Sequence, residues 1–144
     1  MKIQSLGHVV IKVRNQERAE AFYNGLLKIP IAARLPALQM TFFTLGNHHD
    51  FAIKAVGDDA PDAPANSPGL YHVAFKIGNL IDELREAKLC LEAVDIKVSA
   101  TDHEVSKSIY FQDPDGNTVE LYIDASDVWK RRPEAVAQGV PLDL

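Results

Sequence analysis

Cys90 is the only cysteine among 144 residues, so no disulfide within the chain can hold its fold. Packing must do so. Aromatic residues are scarce at 8 %, yet an apolar fraction of 47 % supplies enough material for a core. Long hydrophobic runs are missing: none reaches the roughly 20 residues of a membrane-spanning helix, and the amino end enters a strand pattern without a signal-peptide core. Positive charge is also thin. The formal charge is −5 and the one basic cluster, Lys130-Arg131-Arg132, is short, which argues against a nucleic-acid partner. These absences imply one compact cytoplasmic domain with neither membrane nor nucleic acid as partner. Cys90 falls in a helical pattern with Leu84, Ala87 and Leu91, and is expected to be buried as a small hydrophobe.

What the chain does have is a duplication. Leu6-Gly7-His8-Val9-Val10-Ile11-Lys12-Val13 aligns with Leu70-Tyr71-His72-Val73-Ala74-Phe75-Lys76-Ile77 at a constant offset of 64, and each copy carries one histidine at the same place. Asn15 and Asn79 keep that offset at the expected amino ends of two amphipathic helices, 16–27 and 80–94, where an asparagine side chain caps free N–H groups. Strand-like runs follow each helix: 31–35, 39–45 and 49–56, then 96–100, 107–112 and 118–123. Gly46-Asn47 and Asp113-Pro114-Asp115-Gly116-Asn117 mark the last turn of each set, and aligning their glycines pairs Asp50 with Glu120.

The expected fold is therefore α+β. Two βαβββ modules, 1–56 and 70–123, form an open, U-shaped, eight-stranded barrel-like sheet with helices outside. An acidic, proline-rich linker spans 57–69. The tail 124–144 is read as a cover for the sheet or for a neighbouring subunit.

Residues alternate between the two faces of a strand, so repeat symmetry turns His8 and His72 to one side, where an inward Glu120 can join them. Two imidazoles and one carboxylate fit a facial iron site that keeps about three positions of an octahedral ion open for a chelating substrate and dioxygen. A lone strand histidine is as often a hydrogen-bonded core residue. Matched positions in two repeats, plus the carboxylate, favour the metal.

The segment Thr101-Asp102-His103-Glu104-Val105-Ser106-Lys107-Ser108-Ile109-Tyr110-Phe111-Gln112-Asp113-Pro114-Asp115-Gly116-Asn117-Thr118-Val119-Glu120 resembles the signature of type I extradiol ring-cleavage dioxygenases. A histidine precedes an apolar-Tyr pair, then an acidic residue with Pro and Gly, then the glutamate ligand. From residue 6 to residue 123 the chain is similar to the vicinal oxygen chelate superfamily, which includes glyoxalases, bleomycin-resistance proteins and dioxygenases. The resemblance implies His8, His72 and Glu120 as ligands of Fe(II), with Mn, Ni or Zn as alternatives. It implies His103 and Tyr110 as a substrate-contacting pair and His49 as the acid/base histidine, protonated so that it stabilises negative charge developing on oxygen. The implied substrates are a small aromatic diol and O₂. Many relatives carry two such domains, so the chain is expected to form a homodimer or higher homo-oligomer.

Two other readings stand beside this one. Asp50 could supply a fourth ligand to a glyoxalase-like lyase or isomerase, or the cavity could serve a metal-free binding protein of the resistance type. Simple alternation places His48 with Asp50 on the face assigned to Glu120, whereas the resemblance selects His49.

Overall fold

Ile11 and Val13 are buried while Val10 and Lys12 are exposed, the two-residue period of a strand with one covered face. This strand, β1 (Val9–Val13), opens a set of elements repeated later in the chain. The computed structural model describes residues 1–64 and 66–144; Ala65, in the expected linker, lies outside the described residues. The chain divides into two units, Met1–Pro68 and Gly69–Leu144. The first holds β1, α1 (Gln16–Glu20), β2 (Ile31–Leu35), β3 (Met40–Phe43) and β4 (Phe51–Ala55) in a sheet of order β1-β4-β3-β2. The second holds β5 (Val73–Gly78), α2 (Ile81–Glu92), β6 (Ser99–Asp102), β7 (Ser106–Gln112), β8 (Thr118–Asp124) and β9 (Val140–Pro141), ordered β5-β8-β7-β6-β9. Both sheets are mixed, with β1 parallel to β4 and β5 parallel to β8, and neither closes into a barrel. The fold is α+β with the expected duplicated order of elements.

Asn15 caps α1 as its sequence position suggests, accepting the Arg18 N–H at 3.0 Å. The helix then widens into a π-type turn over Ala21–Leu26, which turns Phe22 and Tyr23 inward. Tyr23 stacks 4.8 Å from Phe51, and Ile53 and Phe43 complete a fully buried core for the first unit. Asn79 does not repeat the cap. The Glu83 carboxylate accepts the N–H groups of both Asn79 and Leu80 at 2.8 Å, so α2 starts later and is capped from inside.

Cys90 is exposed, contrary to expectation. Leu84 and Leu91, two turns apart, are the residues α2 buries, and at about 100° per residue Cys90 points well away from Leu84. Strand β1 begins one residue after His8 and β5 one residue after His72, so each histidine sits at the mouth of its strand rather than inside it. The tail does not hang free: Ala135 is buried, and β9 adds to the edge of β6 through Thr101↔Pro141 and Asp102↔Val140.

Sheet register corrects one sequence alignment. Val10 pairs with Ala52 in the first unit, and its repeat counterpart Ala74 pairs with Glu120 in the second. The counterpart of Glu120 is therefore Ala52, not Asp50. One strand further, Phe42 pairs with Ala52 as Tyr110 pairs with Glu120. The glycines misled because they occupy different places in loops of equal span between Phe43↔Phe51 and Phe111↔Val119.

Candidate active site

In the second unit β7 and β8 have two unlike faces. Ile109, Phe111, Val119, Leu121 and Ile123 are buried on one, while Ser108, Tyr110 and Glu120 share the other. His72 lies two residues before Ala74, the partner of Glu120, and so belongs to that second face. Its Nε2 stands 3.1 Å from Glu120 Oε2. Glu120 is 7 % exposed, and its other oxygen accepts the Ser108 hydroxyl at 2.6 Å.

The β6–β7 turn carries His103 just beyond β6, with Glu104 in the left-handed region at φ 66°. The His103 ring reaches back to Tyr110, Nε2 to hydroxyl 2.8 Å, and its Nδ1 lies 2.7 Å from the Gln138 carbonyl oxygen. Burial, and then the neighbouring Glu120 carboxylate, push the Tyr110 hydroxyl up to about 12, so it stays protonated at neutral pH. Below the turn, Asp113 accepts the N–H groups of Asp115 and Asn117, and Gly116 adopts φ 84° to close the loop before β8.

In the first unit the ring of His49 lies 4.1 Å from that of His8 and edge-on to Phe42 at 5.3 Å. The expected strand 49–56 begins only at Phe51, so strand alternation does not govern His48 or His49, and the loop itself brings His49 against His8. His48 joins them: nitrogens of His8, His48 and His49 lie within 4.8 Å of one another. Burial, then the rings of His8 and His48, lower the proton affinity of His49. The Asp50 carboxylate is committed to the N–H groups of Leu45 at 2.6 Å and Asn47 at 3.3 Å, where it shapes the loop.

Within the second unit the structure thus gathers His72, Glu120, Tyr110 and His103, and within the first it gathers His8 and His49. Two participants, Ser108 and the Gln138 carbonyl, escaped the sequence, and a third, His48, is offered by alternation. Ser108 was legible in principle, two residues from Tyr110 on the same strand face. His48 was set aside by the resemblance. The Gln138 carbonyl leaves no trace in residue type.

Donor chemistry fits a divalent ion in the second unit. Ligands about 2.1 Å from an octahedral metal lie about 3 Å apart when adjacent, which is the spacing of His72 Nε2 and Glu120 Oε2. His72 Nδ1 is buried without a hydrogen-bond partner, which leaves Nε2 as the ring's working atom.

Residues 5–121 match the model of the Glyoxalase/Bleomycin resistance protein/Dioxygenase superfamily. Biphenyl-2,3-diol 1,2-dioxygenase 3 of Rhodococcus globerulus is 32 % identical over 124 residues, 83 % of this chain and 63 % of the relative. Catechol-2,3-dioxygenase of Bacillus subtilis is 27 % identical over 134 residues, 90 % of this chain and 45 % of the relative. The chain thus spans about half to two thirds of the length of these relatives. Among solved structures, the fosfomycin resistance protein FosX of Listeria monocytogenes superposes with a TM-score of 0.69 at 21 % identity, covering 91 % of this chain and 99 % of that one, a likeness of fold. With its duplicated order of elements and the match over residues 5–121, the chain belongs to the glyoxalase/bleomycin resistance/dioxygenase, or vicinal oxygen chelate, superfamily.

Proposed function

We propose that the protein is an Fe(II)-dependent extradiol dioxygenase, opening the ring of a catechol-type diol with O₂. The observation that carries this reading is the Tyr110–His103 hydrogen bond, set directly across the β7–β8 ladder from the His72–Glu120 pair. A diol that binds a metal through both oxygens must shed a proton, and a phenol backed by an imidazole beside the carboxylate ligand is placed to take it. The dioxygenase relatives support the same choice. A four-ligand lyase site is less well supported, because its second carboxylate belongs at the position of Ala52.

His8, His72 and Glu120 would hold the iron, which would supply open coordination positions for diol and O₂ and a path for electrons between them. The protein's own groups then have separable tasks. Ser108 fixes the carboxylate through the 2.6 Å hydrogen bond to its other oxygen. Tyr110 accepts the hydroxyl proton of the substrate as its own proton passes to His103. His49, 4.1 Å from His8, is placed to take up a proton released during the reaction and return it when the ring opens. On this reading residues 1–144 act as one domain in the cytoplasm, in a homodimer or higher homo-oligomer.

Anaerobic loading with Fe(II), followed by catechols and air, is expected to give oxygen uptake together with a coloured ring-opened product. His72→Ala and Glu120→Gln should abolish both along with stoichiometric iron. No uptake across simple and biaryl catechols with iron bound refutes the reading.

A further inference from the structure

We propose that the carboxyl-terminal strap, Gln138 to Val140, is part of the acid–base apparatus: its Gln138 carbonyl fixes the tautomer of His103 and so sets the direction in which the Tyr110–His103 pair moves a proton. A carbonyl oxygen can only accept, so at 2.7 Å from it Nδ1 must carry the ring hydrogen. In the neutral ring Nε2 is then left as an acceptor, and the 2.8 Å contact is donated by the Tyr110 hydroxyl. The order is therefore hydroxyl to Nε2, then Nδ1–H to carbonyl. When a substrate O–H bond breaks and an O–H bond forms on Tyr110, the former tyrosine proton forms an N–H bond on Nε2. The resulting imidazolium keeps both of its N–H groups bonded, one of them to the strap.

Three observations make the strap a built device. β9 pairs with β6 through Thr101↔Pro141 and Asp102↔Val140, which fixes Gln138 beside a ring carried just past the end of β6. Ala135, fully buried, anchors the segment before it. Gly139 packs against the imidazole: a Cβ there would stand 3.4 Å from His103 Nδ1 and 3.5 Å from Cε1, ordinary van der Waals contact, so only a side chain larger than a methyl group would crowd the ring. Charged neighbours do not compete for Nδ1. Asp102 is engaged by Lys107 and Glu104 by Arg132.

This inference rests on the dioxygenase reading for its purpose but not for its test. Long-range ¹H–¹⁵N correlation spectra of the metal-free, full-length chain, recorded where the ring is neutral, should show His103 as the single Nδ1–H tautomer. Gly139→Val, with folding verified from the dispersed amide spectrum, should admit the Nε2–H tautomer as its branched side chain pushes the strap off the ring, and Gly139→Ala, whose methyl group fits at contact distance, should keep the wild-type tautomer. Gln138→Ala should keep the wild-type tautomer, because the carbonyl remains. In the Fe(II)-loaded protein Gly139→Val should lower kcat about tenfold and leave KM for the diol near the wild-type value. A wild-type His103 protonated on Nε2, or a tautomer ratio unmoved by Gly139→Val, overturns the proposal. If the tautomer behaves as stated and no catechol is cleaved, the strap's role on His103 stands and the dioxygenase reading falls.

Discussion

At the scale of single residues, Tyr110 has a job that its ring alone cannot do. A phenylalanine would keep the packing beside His72, whose ring lies 5.8 Å away, but would remove the hydroxyl that bonds to His103. Tyr110→Phe is therefore expected to retain iron and fold while losing about 10²-fold in kcat, measured by oxygen uptake at matched iron occupancy. Full activity in that variant would exclude the relay through Tyr110. A second residue makes a stability prediction. Arg34 grips Glu20 through Nε at 2.9 and 3.0 Å and Nη2 at 2.8 Å, with the Thr41 hydroxyl donating as well, and the Arg34 bonds lead in holding the Glu20 carboxyl below its usual 4.5. A carboxyl depressed in the folded state stabilises the fold at pH values above its unfolded value, and that contribution vanishes as pH falls through the folded one. Glu20→Gln should cost about 1 kcal/mol at neutral pH, with the difference from wild type closing in acid below pH 4.5, read by urea unfolding across pH.

At the scale of elements, Gly78 ends β5 where the Glu83 carboxylate folds back to cap α2, and a Cβ on Gly78 would meet Glu83 Oε2 at 1.9 Å. Gly78→Ala should expel that carboxylate and lower stability by about 1 kcal/mol, with early amide-exchange losses at Asn79 and Leu80. Unchanged exchange there would show that the cap is dispensable. The same region shows what could be read in advance and what could not. Elements that bury one face, such as β1 and α2, announce themselves through hydrophobic period, whereas β2 and β6 bury no residue, and β6 stands at Ser99–Asp102 rather than at the expected 96–100. The capping of α2 was misread because Asn79 occupies the repeat position of Asn15 while a carboxylate four residues on takes its place, a choice made by side-chain reach. His49 was found by resemblance and not by alternation, since a loop, unlike a strand, has no fixed facing rule. Asp50 was paired with Glu120 because turn glycines were aligned, and only the ladder reveals that Ala52 stands there. The strap β9 is two residues long, too short for any periodicity to mark.

At the scale of the whole molecule, the proposed ligand set of His8, His72 and Glu120 has a direct test: if all three hold one ion, its binding should tie together the unfolding of the units Met1–Pro68 and Gly69–Leu144. Saturating Mn²⁺ or anaerobic Fe(II) is expected to raise the thermal midpoint, with stabilisation of about 2.7 kcal/mol at a hundredfold excess over Kd, and a chelator should reverse it. His8→Ala and His72→Ala should each cancel the shift. A shift that survives His8→Ala would show that the second unit holds the ion by itself. Ala52 carries a further consequence for such a centre. Duplication creates two equivalent places for an acid, and this chain fills one of them with a methyl group. A ferrous ion held by neutral imidazoles and a lone carboxylate would keep a net positive charge and draw a diol toward its ionised form, a preference that a second acid ligand would cancel.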